Sequence, residues 1–419
     1  MVEYRIQGGQ RINGDVRVNG SKNAMLPIFA ACILNGTKNV LHNCPKVLDT
    51  MISMQILEHL GCTVTTEGNT VIVDSSTANN WHVPDEFTRQ LRSSVLFMGS
   101  LIGRFGKAVV SFPGGCSLGS RPIDMHIKAL AQMGTDIHTG DTLQCSAEKL
   151  RGLRIHLSFP SIGATENIML AAVLAEGETT ILNAAREPEI IDLQSFLNSM
   201  GADIRGAGND IIIIRGVKKL RSAEHCIMPD RIEAGTYLLA AAMTSGGVAL
   251  SDVRPQDMLS VTSKLMEMGC NVTETASTVV LKAPSRLNRI LSLETYPYPG
   301  FPTDLQAPFT AALSVADGTS IVVENVFSSR YGHVSGLLQM GADIKVTQDV
   351  RSLIIQGIER LKGTVVEATD LRCGVALILA GLIADGETVV TNGHHIERGY
   401  EQIENVLCSL NANVSKIER

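Results

Sequence analysis

Residues 22–42, KNAMLPIFAACILNGTKNVLH, hold an apolar, alanine-bearing stretch that ends at Gly36 and gives way to a short strand-forming run. The same succession recurs at Gly106, Gly177, Gly247, Gly318 and Gly386, at spacings of 70, 71, 70, 71 and 68 residues. A period this regular marks a repeat architecture, and each unit reads as helix, glycine C-cap, strand. A second marker keeps step. The segments HLGCTV, QMGTDI, SMGADI, EMGCNV, QMGADI and SLNANV close apolar-periodic helices at Gly61, Gly134, Gly201, Gly269, Gly341 and Asn411. Each unit therefore carries two helices, each capped by Gly or Asn and followed by strand.

Working outward, the last unit is short, because the chain reaches Arg419 where earlier units continue into a further strand pair. Tyr4 to Lys22 (YRIQGGQRINGDVRVNGSK) is similar to residues 354–372, so the N-terminal stretch is expected to complete the sixth unit. Six units can close as one ring or as two groups of three. A chain of 419 residues exceeds the size at which a single core keeps growing, which favours two groups of three. The expected domains are 22–229 and 1–21 plus 230–419, with the chain crossing near residues 21 and 229. Two close crossings make a hinge, and a cleft able to shut with the active site in it.

Composition narrows the function. Hydrophobic residues make up 44% and aromatics 4%, which suits helices packed on sheets and not base-stacking surfaces. With a formal net charge of -6, nucleic acid is an unsuitable partner, and any anion site must be a local cluster of Lys and Arg. The nine cysteines are odd in number, scattered, and lack CxxC or Cys/His metal spacing, so neither a metal nor another cofactor is expected and the compartment reads as reducing. Glu3, Arg5 and Gln7 follow Met1 where a signal peptide would need a basic segment and an apolar core. Residues 234–251 read as helix, turn and strand in place of a membrane span, and the expected location is the cytoplasm.

Counting back 14 residues from each repeat glycine reaches Lys22, Arg92, Gly163, Glu233, Asp304 and Arg372, equivalent first-turn positions of six helices. A helix N-terminus already presents free N–H groups and positive charge, so three cations there oppose helix stability and point to a bound anion. Five of the six loops that follow the repeat strands contain Arg, among them Arg121, Arg330 and Arg398, and the guanidinium fork suits phosphate and carboxylate. In the loop 112–124, FPGGCSLGSRPID, three glycines free the backbone to approach a ligand, and Cys116 lies near Arg121. A free Cys is usually a small buried hydrophobe, but these surroundings favour the thiolate and make Cys116 the reactive candidate of the nine.

That loop, with NGSKNA (19–24), PSIGAT (160–165), REPEIID (186–192), PDRIEAGT (229–236), FPTD (301–304), ATDLR (368–372) and ERGYE (397–401), resembles the UDP-N-acetylglucosamine 1-carboxyvinyltransferase family from end to end. The resemblance implies an α/β fold of two three-repeat domains, each an inside-out α/β barrel built from βαβ-type repeats with sheets inside each lobe. It implies transfer of the enolpyruvyl group of phosphoenolpyruvate to the 3-hydroxyl of UDP-N-acetylglucosamine, the first committed step of peptidoglycan synthesis. Lys22, Asn23, Cys116, Arg121, Arg372 and Arg398 match the phosphoenolpyruvate site. Arg92, Arg121, Pro122, Ile123, Asp124, Met125, Phe159, Pro160, Ser161, Ile162, Gly163, Asp304 and Val326 match the nucleotide-sugar site. Cys116, Asp304 and Lys22 match the catalytic residues: Cys116 an acid that can form an adduct with phosphoenolpyruvate, Asp304 a carboxylate facing the sugar hydroxyl. Cys116 also implies inactivation by fosfomycin. Phe159 replaces a lysine found in some members, and QLRSS (90–94) differs from the more usual Met-Arg-Ala.

Three other readings stand beside this one. The shikimate-pathway enolpyruvyl transferase shares the repeats and the phosphoenolpyruvate site but not the Cys116 loop. RNA 3'-phosphate cyclase uses a related repeat, against which acidic charge and sparse aromatics argue. A non-catalytic UDP-sugar-binding paralogue is expected to have lost an acid, base or key cation, and Lys22, Cys116, Asp304 and Arg398 are all present.

Overall fold

The computed structural model describes residues 2–112, 123–328, 330–348 and 350–418. These fall into two compact units, one of residues 20–112 and 123–228, the other of residues 2–19 and 229–418. Among the described residues each unit holds three four-stranded sheets of one plan. In one, Arg154–His156, Glu178–Leu182, Ile211–Arg215 and Asp203–Arg205 lie side by side in that order. The first two are parallel and enclose the helix Ile162–Ala172, because parallel neighbours need a crossover, whereas the others pair antiparallel.

Val2–Gln7 inserts between Glu387–Thr391 and Asn413–Glu418, with Tyr4 opposite Val390 on one side and Lys416 on the other, so the N-terminal strand completes the last sheet. The following strand has another destination. Asn13–Arg17 pairs in parallel with Gly247–Ser251, while Glu224–Cys226 pairs in parallel with Lys38–His42. The strands before the first and fourth repeat helices are thus exchanged, and each unit's set of sheets is closed by a strand that precedes a helix of the other.

The crossover helices form the centre of each unit. Every residue of Lys22–Ala31 is buried except Asn23, every residue of Arg231–Met243 except Arg231, and all of Gln306–Leu313. A helix that is apolar all round must be enclosed. The strands alternate instead, as in Gly247–Ser251 and Ile211–Arg215, burying one face and exposing the other. The inside-out arrangement is therefore reached with helices within and sheets outside, which corrects the expected placing of sheets inside each lobe.

The second marker closes six outer helices in one way. Gly61, Gly134, Gly201, Gly269, Gly341 and Asn411 adopt φ between 73° and 101°. In each case the next residue donates its N–H to a leucine carbonyl one turn back, at Leu57, Leu130, Leu197, Leu265, Leu337 and Leu407, over 2.9–3.1 Å. This is the Schellman closure, and it fixes where chain leaves helix for strand. The first marker behaves differently. Among its six glycines only Gly106 caps a helix directly, with φ 66° and its N–H on Ile102 O. The helices before Gly36, Gly177 and Gly318 end at Ala31, Ala172 and Leu313, and the glycines serve the turn into the strand. Gly247 lies within its strand, and Ser245 takes the left-handed conformation there with φ 54°. No helix among the described residues is long and apolar enough to cross a membrane.

Candidate active site

In the unit of residues 20–112 and 123–228, Lys22 is the first residue of its helix, and Ser21 caps that helix by accepting from Ala24 N at 3.3 Å. Lys22 Nζ lies 3.0 Å from Asp49 Oδ2, with side chains 11% and 3% exposed. A cation at a helix start is unfavourable alone, and Asp49 supplies an opposing charge. Arg92 opens a 3₁₀ turn, Arg92–Leu96, which precedes the helix Phe97–Phe105.

Gly163 lies against the His126 ring, and the charges of Arg92 and Asp124 act on it. Burial and then Arg92 push the imidazole down to about 4, against the pull of Asp124. Its Nδ1 accepts from Asn167 Nδ2 at 2.9 Å, and the same amide nitrogen donates to Val95 O while Asn167 Oδ1 accepts from Gly99 N at 2.6 Å. A Cβ at Gly163 would stand 3.1 Å from His126 Cε1. His126 is thus a neutral, buried spacer. Ile123 is the N-cap of Asp124–Gln132, and Met125 Sδ accepts from Ser158 at 3.7 Å. Ser161 caps Ile162–Ala172 through Ala164 N, and beside half-buried Pro160 the side chains of Phe159 and Ile162 are exposed. Asn23 is half-buried. Cys116, Arg121 and Pro122, with the rest of 113–122, lie outside the described residues.

In the unit of residues 2–19 and 229–418, Asp304 sits in the 3₁₀ turn Thr303–Leu305 that leads into Gln306–Leu313. Its two oxygens face two guanidinium groups: Arg330 Nη2 at 2.7 Å from Oδ1 and Arg372 Nη2 at 2.8 Å from Oδ2. Burial raises the Asp304 carboxyl, but Arg372 and Arg330 and their hydrogen bonds outweigh it and hold it well below the usual range. Arg372 is buried in the first turn of Leu371–Ile383, below Asp370, which caps that helix by accepting from Arg372 N and Cys373 N. Arg372 Nη1 also donates to Tyr400 OH at 3.3 Å, and Tyr400 OH meets Thr236 Oγ1 at 2.7 Å.

Arg330 Nη1 donates to Thr303 Oγ1 at 2.9 Å, and Thr303 Oγ1 donates to Glu324 Oε2 at 2.9 Å. Val326 N donates to Glu324 Oε1 at 2.9 Å, so the expected nucleotide residue Val326 is tied to the same network. Glu233, at the position equivalent to Asp304 and Arg372, accepts from Asn19 N at 2.9 Å and Asn19 Nδ2 at 3.0 Å, and burial followed by Asp230 raises it to about 7. Arg398 is the C-cap of the short helix His394–Glu397 and, after burial and His394, helps to lower His395.

The structure thus brings Asp304 and Arg372 together, links Val326 to them, and sets Gly163 against His126, on which the charges of Arg92 and Asp124 act. Sequence reasoning placed Arg330 among the loop arginines but not in the site, and it did not reach Glu324, Tyr400 or Asp49. The period could have flagged Arg330, since its loop is equivalent to that of Arg398; the others carry no local signal. Chemically, the pair of forks around Asp304 keeps a carboxylate ionised beside dense positive charge, which is a setting for oriented hydroxyls and anions.

The model of the family described as EPSP synthase (3-phosphoshikimate 1-carboxyvinyltransferase) matches residues 6–407. The chain is 48% identical over 418 residues to UDP-N-acetylglucosamine 1-carboxyvinyltransferase 2 of Caldanaerobacter subterraneus subsp. tengcongensis, covering 100% of both. It is 47% identical over 421 residues to UDP-N-acetylglucosamine 1-carboxyvinyltransferase 1 of Symbiobacterium thermophilum, covering 99% of this chain and 95% of that one. Among solved structures, the enolpyruvyl transferase NikO from Streptomyces tendae superposes with TM-score 0.89 at 24% identity over 99% of each chain. An EPSP synthase from Acinetobacter baumannii does so with TM-score 0.76 at 18% identity over 100% of each. At those identities the two structures speak for the fold.

Proposed function

Because this chain belongs to the EPSP synthase family of enolpyruvyl transferases, we propose that it transfers the enolpyruvyl group of phosphoenolpyruvate to the 3-hydroxyl of UDP-N-acetylglucosamine. The observation that carries the choice of acceptor is the 44–48% identity, over nearly the full length of both chains, to relatives named for that sugar nucleotide. In this reading the product enters peptidoglycan synthesis in the cytoplasm. The lobes are residues 22–229 and 1–21 plus 230–419, a division that the two compact units support.

The reaction adds a proton to C3 of phosphoenolpyruvate while the sugar 3-oxygen attacks C2, giving a tetrahedral intermediate. Loss of a C3 proton then expels phosphate and restores the double bond. Lys22, Asn23, Arg121, Arg372 and Arg398 are assigned to phosphoenolpyruvate. Arg92, Arg121–Met125, Phe159–Gly163, Asp304 and Val326 are assigned to the sugar nucleotide. Asp304, held ionised by two arginines, suits a hydrogen-bond acceptor for the sugar hydroxyl, and to take its proton it must loosen at least one of them. Lys22 would add positive charge for the intermediate, and Cys116 would supply the proton.

Fosfomycin is assigned to Cys116. Burial raises the thiols of Cys32, Cys44, Cys62, Cys145, Cys270 and Cys373, so these are poor competitors for an epoxide, whereas Cys226 and Cys408 are exposed and serve as internal controls for labelling. Mass mapping that finds the adduct on either control, with Cys116 unmodified, defeats the assignment. Phosphate release from phosphoenolpyruvate, assayed with UDP-N-acetylglucosamine, with shikimate 3-phosphate and with neither, tests the reaction itself. Release with the UDP-sugar alone is expected. Release with shikimate 3-phosphate alone moves the chain to the other acceptor, and no release with either supports a binding paralogue.

A further inference from the structure

On the reading that Asp304 faces the sugar hydroxyl, we infer that Glu324 is a positioning residue: through Thr303 and Arg330 it orients Asp304, and through backbone N–H groups it fixes the segment holding Val326. Glu324 lies just after the strand Thr319–Val323 and is 3% exposed. Its carboxylate accepts from Thr295 Oγ1 at 2.8 Å, Val326 N at 2.9 Å and Phe327 N at 3.1 Å on one oxygen, and from Thr303 Oγ1 at 2.9 Å on the other. Thr295 Oγ1 in turn accepts from Asn325 N at 2.9 Å. One buried carboxylate therefore holds three separate pieces of chain, at residues 295, 303 and 326–327.

Hydrogen-bond polarity gives the relay its direction. Arg330 offers only donors, so Thr303 Oγ1 must accept from it, and the single hydroxyl proton of Thr303 must then go to Glu324. Arg330, so aligned, presents Nη2 to Asp304 Oδ1. Were residue 324 an amide, its NH₂ turned toward Val326 N and Phe327 N would meet donor against donor, and turned toward Thr303 it would make that hydroxyl accept twice, reversing the bond and taking away the acceptor of the Thr303 proton. A purely structural acid could exchange with a glutamine of the same shape at small cost to the reaction; this one sets the sense of bonds that end on the reacting carboxylate.

The test compares purified Glu324→Gln, Thr303→Val and Thr303→Ser with wild type, reading kcat and separate KM values for the UDP-sugar and phosphoenolpyruvate. Expected are a fall in kcat of at least tenfold and a raised KM for the UDP-sugar in Glu324→Gln, with KM for phosphoenolpyruvate within twofold. Thr303→Val should show the kcat loss, and Thr303→Ser, which keeps the hydroxyl, should recover most of it. The inference is overturned if Glu324→Gln and Thr303→Val keep kcat within twofold, or if both KM values rise together. A crystal structure of Thr303→Val gives a reading independent of turnover: Arg330 should move off Asp304, and its retention at hydrogen-bond distance overturns the relay. Wild type that fails to use the UDP-sugar counts against the proposed reaction alone, with the crystal structure still deciding the relay.

Discussion

Asp304 and Arg372 hold the same position in successive repeats, 68 residues apart, and meet at 2.8 Å. The repeat glycines that set the period thus set an ion pair between equivalent helix starts. Arg330 closes the other side of the carboxylate, and the group is held ionised between two buried cations.

Replacing Asp304 with Asn should therefore cost both turnover and stability. Turnover should fall about 10²- to 10⁴-fold if the carboxylate takes a proton in the reaction. Stability at neutral pH should fall by about 3 kcal/mol, the low end for breaking a buried pair, because Asp304 keeps 24% of its side chain exposed. A carboxyl lowered by folding stabilises above its unfolded value of about 3.9 and loses that contribution as pH falls through the folded value. Denaturation in urea should show a constant gap between wild type and variant from about pH 7 to 5, narrowing below about pH 4. A gap still full at pH 3 would count against the ion pair as its source.

Lys22 and Asp49 separate stability from chemistry. Lys22→Met removes one counter-charge from a nearly enclosed carboxylate, and should lower stability by about 1–3 kcal/mol. Adding Asp49→Leu should restore most of that loss, since a matched apolar pair can replace a buried ion pair. Neither variant should regain phosphate release. Thermal melts and turnover on the same samples check this, and turnover by the double variant would remove Lys22 from the reaction.

Glu233 makes an opposite contribution to pH dependence. Its carboxyl is raised to about 7, so between about 4.3 and 7 the folded protein holds a proton that the unfolded chain has lost. Stability due to this group is full below that window and declines as pH rises through it. Wild type measured against Glu233→Gln should lose on the order of 3 kcal/mol between pH 4.5 and 7.5. A flat difference across that range would place the Glu233 carboxyl at an ordinary value.

Two glycines should respond to alanine in different ways. Gly341 has φ 94° with nothing within 4 Å of an added Cβ, so Gly341→Ala meets only backbone strain of about 1–2 kcal/mol. Gly20 has no such φ, but an added Cβ would stand 1.8 Å from the carbonyl oxygen of Asn43. Backbone cannot yield that far, and Gly20→Ala should fail to accumulate as folded protein while Gly341→Ala shows a shifted denaturation midpoint. Equal behaviour of the two would remove the close approach at Gly20.

The chain alone determined the repeat, the two helices and strands of each unit, and the equivalence of Lys22, Arg92, Asp304 and Arg372. These are local matters: glycine or asparagine takes the left-handed φ at six helix ends, and apolar content with alternation separates enclosed helices from half-exposed strands. Tertiary structure decided what lies far apart in sequence. It exchanged Asn13–Arg17 and Glu224–Cys226 between sheets, put helices at the centre of each unit, and gave Lys22 the counter-charge of Asp49. It also joined Glu324, Thr303, Arg330 and Asp304 by bonds that span as many as 27 residues. A side chain's partner depends on which backbones the fold brings within about 3 Å, and a hydrogen bond leaves no periodic trace in the sequence from which to read it.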